Sequence, residues 1–281
     1  MRTPGQMEIV RVDSILEEAE NISTVTFRSE KESWKDITPG QFVMVWIPGV
    51  DEVPMSLSIK NDDIFGMTVQ NIGEATDAIC RLEKGEKIGI RGPYGQGFRL
   101  PAKKQAKTII GVSGGVGGAS TILPMEWASE NRFHTINIIG SRSKDLLLFE
   151  KRWKKCSSET YFTTDDGSFG IKGLVTDPLG EILEKMKKTD RRKTIIFSCG
   201  PEVMLSAVKE LLDKYEVKGQ FSLERFMKCG IGICDSCSIS GKRACMDGPV
   251  FDTDQMDLMK DFGRIQRDRA GRRIHIKECV R

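Results

Sequence analysis

IIGVSGGVGGAS, residues 109–120, is the stretch that decides how the middle of the chain folds. It opens as a short buried-type strand, turns on glycines, and leaves in a helical pattern. Free N–H groups at such a helix start suit a pyrophosphate. A tight turn that lets helix and strand pack closely explains the same glycines. The stretch is not a clean G-x-G-x-x-G, and no acidic residue follows about 20 positions on to read a ribose. The next apolar run, HTINIIG, leads instead into GSRS (140–143). Further on, ETYFTT and KTIIFSCG alternate with the helical patterns DPLGEILEKMKK and PEVMLSAVKELLDK. Strands alternating with helices predict a parallel α/β sheet over residues 102–219.

Upstream, LPAKKQAK (100–107) is polar and charged, and reads as a linker. Before it the pattern is β. ISTVTF (22–27), QFVMVWI (41–47), MSLSIK (55–60), IFGMTVQ (64–70) and KIGIRG (87–92) are short, rich in β-branched and aromatic residues, and separated by Gly, Pro, Asn and Asp. Even spacing of this kind predicts a small antiparallel barrel over 1–101. One helical pattern (71–86) interrupts it, with Ala75, Ile79 and Leu82 on one face. Hydrophobic residues make up 39% and charged residues 30%, as in a soluble globular protein. A net charge of +3 does not argue for nucleic acid. The first residues have no apolar leader pattern, and the run FVMVWI (42–47) is far too short for a membrane span. A cytoplasmic protein is expected, and there eight cysteines are poor disulfide candidates.

Four of those cysteines cluster: Cys229, Cys234, Cys237 and Cys245, spaced C-x4-C-x2-C-x7-C. Zinc prefers paired C-x2–4-C steps, or Cys with His, and the two histidines, His134 and His275, are distant in sequence. The triplet has the plant-type 2Fe-2S spacing, with the fourth thiolate supplied later. Gly230 and Gly232 let backbone amides approach the sulfurs. A structural zinc site is the alternative. Residues 220–281 are therefore read as a small C-terminal 2Fe-2S module with a basic tail. Cys199, in FSCGP (197–201), ends the last strand of the α/β region. Ligands in such sheets bind at the carboxyl ends of strands, so Cys199 is the candidate catalytic residue, where a nicotinamide would sit.

Taken in order, GVSGGVGGAS, TTDDGSFGIKGLVTD (163–177), SCGPEVM (198–204), ERFMKCGIGICDSC (224–237) and RACMDGPVF (243–251) closely resemble the electron-transfer subunits of class 1B dihydroorotate dehydrogenases, within the ferredoxin–NADP reductase superfamily. The resemblance spans nearly the whole chain. It implies that the barrel holds FAD along VPMSLS (53–58), with Pro54, Met55, Ser56, Leu57 and Ser58 in contact; Val53 stands where the family has arginine. Thr68, Val69 and Gln70 would lie along the adenosine side, and Gly73, Ala75 and Thr76 would meet the pyrophosphate. For NAD(H), Gly114, Gly115, Val116 and Gly117 would face its pyrophosphate, and Arg142 the adenosine ribose. Asp165, with Cys199, Gly200 and Pro201, would lie near the nicotinamide. The implied activity moves electrons from NADH through FAD to the 2Fe-2S cluster, and on to an FMN-containing catalytic subunit of a hetero-oligomer. Three alternatives stand beside it. One is a diaphorase subunit of a cytoplasmic hydrogenase or of NADH-dependent ferredoxin:NADP oxidoreductase. The second is a stand-alone ferredoxin reductase. The third is a non-enzymatic nucleotide-binding protein with a zinc knuckle.

Overall fold

A computed structural model of the chain describes residues 6–276. Its amino-terminal part is a closed barrel of β1 (Glu8–Ala19), β2 (Ile22–Arg28), β3 (Phe42–Ile47), β4 (Asp51–Asn61), β5 (Ile64–Gln70) and β6 (Lys87–Tyr94). The strands run in the order β1-β2-β5-β4-β3-β6, with every pairing antiparallel. Five strands match the expected runs. β1 does not appear among them, because Glu8, Arg11, Asp13, Glu17 and Glu18 mask its alternation. Its inward residues Val10 and Val12 are buried, and it closes the barrel against both β2 and β6. Inside, Phe27, Trp34 and Phe65 pack with ring centroids 5.0–6.0 Å apart. Full burial of such side chains contributes about 1.5–3 kcal/mol each.

A second sheet has seven strands: β7 (Thr108–Gly114), β8 (His134–Ser141), β9 (Glu159–Thr164), β10 (Ile171–Lys172), β11 (Thr194–Cys199), β12 (Lys218–Ser222) and, after the hairpin β13 (Ser238–Ile239)/β14 (Lys242–Arg243), β15 (Val250–Asp252). The order is β10-β9-β8-β7-β11-β12-β15. All pairings are parallel except β12–β15. The sheet thus extends past residue 219, and the cysteine segment is a long excursion between two of its neighbouring strands. A last hairpin, β16 (Ile265–Arg267) and β17 (Arg273–His275), ends the described chain.

Barrel and sheet share one apolar core. Arg152, from the helix Glu150–Lys155, joins them by charge. It donates twice to Glu126, at 2.9 Å each, and once to the carbonyl of Ser58 on β4, at 2.8 Å. Among the described residues no helix is long and apolar enough to cross a membrane.

Candidate functional site

Where the strand order reverses, β7 and β11 lie side by side, with Cys199 in register with Ser113. Crossover connections leave to opposite sides there, which opens a crevice above the strand ends. Two turns meet in it. A Cβ on Gly117 would stand 2.5 Å from the carbonyl oxygen of Cys199 and 2.7 Å from the Cα of Gly200. A Cβ on Gly114 would stand 2.5 Å from Sδ of Met204 and 3.1 Å from Cδ of Pro201. These glycines are therefore explained by close packing. Gly115 differs: its φ is +53°, and nothing lies within 4 Å of its Cβ position. That open face is the part of the turn suited to a phosphate. The structure thus brings Gly114–Gly117 together with Cys199, Gly200 and Pro201.

Gly117→Ala is expected to force the two turns apart and weaken NADH binding about tenfold or more. Gly118→Ala, whose methyl makes an ordinary 3.5 Å contact with Trp153, should bind NADH as the parent does. Titration of both variants with NADH checks this.

Arg142 and Asp165 are exposed just past the ends of β8 and β9. The Asp165 amide donates to the carbonyl of Ser141 at 3.2 Å. Asp165 is therefore a neighbour of Arg142, three strand spacings from Cys199, or about 14 Å. Sheet order places Asp165 beside Arg142, apart from the Cys199 turn with which the sequence groups it.

Burial pushes the Cys199 thiol up to about 11, against weaker hydrogen bonds with Ser120 and Ser222. Burial thus disfavours the thiolate, which suits a residue that shapes the turn. Flavin reduction by NADH should accordingly show no ionisation of Cys199 between roughly pH 6 and 9. Cys199→Ala should lower its rate by less than about tenfold. A pH series of stopped-flow traces checks both.

On the barrel, residues of β4 alternate between faces. Val53, Met55 and Leu57 share the face of the barrel core, where Leu57 is buried. Pro54, Ser56 and Ser58 share the outer face. Ser58 is fully buried, its hydroxyl 2.7 Å from that of Thr68, which lies 2.8 Å from that of Thr24. Ser58 and Thr68 thus serve the scaffold, and Val69 is buried as well, while Gln70 is half-buried at the strand end. Gly73 and Ala75 lie at the start of the helix Glu74–Cys80. The Thr76 hydroxyl accepts from the amides of Ile72 and Gly73 and donates to the Gly73 carbonyl, each at 2.9 Å. It holds the loop in shape, so what residues 74–76 offer a phosphate is their backbone amides, which have no partner within the helix.

The cysteine loop lies against the outer face of the barrel. Pro54 pairs with Met44 across β3, and Ser56 with Phe42. Met44 and Phe42 are buried under Met227, Cys237, Ala244 and Cys245. Gly230, at φ +70°, comes so close that its Cβ would stand 2.8 Å from Cγ of Met44. Arg91 on β6 chelates Glu52 at 2.6 Å through both Nε and Nη2, and donates from Nη2 to the carbonyl of Cys229 at 3.2 Å. Phe42, Met44, Arg91 and Glu52 are additions to the site that the sequence does not single out. Their only sequence signal is where they fall: Glu52 on β4 itself, Phe42 and Met44 on its neighbour β3, and Arg91 on β6 beyond that.

Amide N–H groups point at two of the sulfurs: Ile233 to Cys229 at 3.4 Å, and Cys245 to Cys237 at 3.5 Å. Burial and then the neighbouring Cys237 push the Cys245 thiol up. For Cys234 burial is outweighed by hydrogen bonds from Ser236 and Cys229, and its thiol is brought down. Among the described residues no three His, Cys, Asp or Glu side chains are already gathered around a metal position. An all-thiol donor set with amides aimed at sulfur fits an iron–sulfur cluster.

Residues 224–257 match the iron–sulfur cluster binding domain of dihydroorotate dehydrogenase B. In solved structures, the chain is similar to that of an NADH-dependent reduced ferredoxin–NADP oxidoreductase, with TM-score 0.78 and 25% identity over 89% of this chain and 90% of that one. A ferredoxin NADP+ reductase from Neisseria gonorrhoeae, solved with bound FAD and NADP, shares the fold at TM-score 0.62 and 17% identity, over 74% of this chain and 91% of its own. A protein of Methanocaldococcus jannaschii is 40% identical over 95% of this chain and 98% of its own length. One of Methanocella arvoryzae is 43% identical over 94% and 97%. Both carry the name "Probable dihydroorotate dehydrogenase B (NAD(+)), electron transfer subunit". With identity at this level along nearly the full length of both relatives, the chain belongs to the family of dihydroorotate dehydrogenase B (NAD(+)) electron transfer subunits.

Proposed function

We propose that this chain passes electrons between NAD(H), FAD and a 2Fe-2S cluster, and exchanges them with an FMN-containing catalytic subunit that interconverts dihydroorotate and orotate in the cytoplasm. The observation that carries this is the adjacency of the flavin strand and the cysteine loop. Pro54 and Ser56 are one strand from Met44 and Phe42, which the loop covers. Cross-strand neighbours of this kind have Cβ atoms about 5 Å apart. When bound, FAD converts a two-electron hydride into single electrons, which the cluster carries one at a time.

The chain supplies positions for these groups. Gly115 opens the nucleotide turn, and Cys199–Pro201 shapes the nicotinamide end. Arg142 and Asp165 flank the adenosine side, and Cys229, Cys234, Cys237 and Cys245 hold the iron. Ile233 is 78% exposed and Met246 45%, each beside a cysteine of the loop. They form an apolar rim through which a partner would approach the cluster.

The test is an anaerobic titration with NADH, with iron and acid-labile sulfide assayed on the same sample. Flavin bands and an iron–thiolate shoulder that both bleach are expected. Zinc without iron, or no bleaching, would overturn the relay. The likeness to the NADH-dependent ferredoxin–NADP oxidoreductase favours one second reading, a subunit of that kind. Co-purification and turnover separate the two: an FMN-containing partner supports the first, and reduction of NADP by NADH with reduced ferredoxin the other.

A further inference from the structure

The loop of the final hairpin carries a cation whose neighbours are all committed elsewhere. Arg267 donates to the carbonyl of Gly271 at 2.9 Å and faces Asp235 of the cysteine loop at 3.9 Å. Arg272 pairs with Asp268 at 2.7 Å, and Arg273 with Asp261 at 2.6 Å. Between them Arg269 is exposed and, among the described residues, makes no ion pair within 4 Å. It does not point at random into solvent. Its Nη2 lies 3.6 Å from the position a Cβ on Gly73 would take. Gly73 belongs to the barrel loop that Thr76 holds in shape. The hairpin therefore reaches from the cysteine loop across to the barrel, and sets a guanidinium on the loop read as the FAD pyrophosphate site.

That loop needs a cation. Glu74 and Asp77 place two carboxylates at the start of the helix that follows. Arg81 is engaged with Asp77 at 3.0 Å. On the flavin strand β4 the one cation is Lys60, whose ammonium donates to the carbonyls of Lys35 and Ile37. A diphosphate brought to Gly73 would meet net negative charge without Arg269. A guanidinium matches it with two parallel donors.

We propose that Arg269 binds the FAD diphosphate, so that the carboxyl-terminal hairpin forms one wall of the flavin site. This rests on the reading of the barrel as an FAD site. It makes flavin binding and the seating of the hairpin mutually dependent, and it ties the flavin wall through Arg267 and Asp235 to the cluster loop.

The test titrates the flavin-free full chain with FAD, followed by quenching of flavin fluorescence, at low and high salt. Arg269→Gln is expected to weaken FAD about 10- to 100-fold and to flatten the salt dependence, since one charge-assisted contact is lost. Arg269→Lys should recover part of the loss, and Arg272→Gln, at a paired arginine of the same loop, should bind as the parent does. Limited proteolysis supplies a second readout: FAD should protect the 265–275 hairpin in the parent and not in Arg269→Gln. Arg269→Gln binding FAD with parental affinity and parental salt dependence would overturn the proposal. A parent chain that binds no FAD at all would instead overturn the flavin reading of the barrel.

Discussion

The Cys237→Ala protein is expected to purify with its flavin and with almost no iron or sulfide. Cys237 is 2% exposed, it is packed with Phe42 and Met44, and its sulfur accepts the amide of Cys245. Among the described residues, no other thiol lies in that apolar layer except Cys245 itself. A solvent ligand therefore has no route to replace it, and a cluster left with three thiolates is lost. The nucleotide turns and the flavin strand do not depend on this sulfur. Bleaching of the flavin by NADH should persist within about twofold, while transfer onward to a one-electron acceptor falls by about 100-fold or more. Iron and sulfide assays, with the visible spectrum before and after NADH, check it. Iron at the parental level would remove Cys237 from the ligand set, and stoichiometric zinc in the parent would replace the cluster reading altogether.

Glu202→Ala should produce the largest loss of stability among single substitutions near the site. Glu202 opens the helix Glu202–Tyr215, directly after the Cys199–Pro201 turn. It accepts from Arg225 at 2.5 and 2.9 Å, and from the amide of Gly263 at 2.7 Å. The Arg225 side chain is 2% exposed and that of Glu202 11%. Removing the carboxylate leaves a buried guanidinium whose one remaining hydrogen-bond acceptor, among the described residues, is the Glu224 carbonyl. Breaking a buried pair in this way costs about 3–5 kcal/mol. For a chain of this size that lowers Tm by roughly 6–15 °C. Glu202→Gln keeps an acceptor for Gly263 and one for Arg225, and should lose about half as much. The pair also spans the two halves of the site: Glu202 follows the nicotinamide turn, and Arg225 stands four residues before Cys229. A rise in the KM for NADH together with a fall in bound iron is expected from the same variant. Thermal melts, NADH kinetics and iron content measure the three. A Tm within about 2 °C of the parent would show that water reaches Arg225 and that the pair is dispensable.

Part of this site is legible in the residues alone. The C-x4-C-x2-C-x7-C spacing carries its chemistry locally, because four thiols with intervening glycines suit iron wherever the loop is placed. The glycine turn after β7 and the FSCGP turn after β11 are legible for the same reason, since a strand followed by glycines and a helix specifies its own backbone. Alternating apolar runs separate the barrel from the parallel sheet. β1 escapes because its charged outer face hides the period. Thr76 is legible as a helix-start residue, but not as one whose hydroxyl is already occupied by Ile72 and Gly73.

The amino-acid order thus suffices for the two fold classes, the thiol set and the turns at the strand ends, all of which follow from short-range backbone and side-chain chemistry. Which of them become neighbours is a matter of tertiary structure. Sheet order moves Asp165 to the side of Arg142, and barrel order lays Met44 and Phe42 between the flavin strand and the cysteines. Chain reversal brings Glu202 to Arg225 and Arg269 to Gly73. Such pairings join residues 10 to nearly 200 positions apart. They are set by how whole strands pair and bury their faces, which no local pattern of residues encodes.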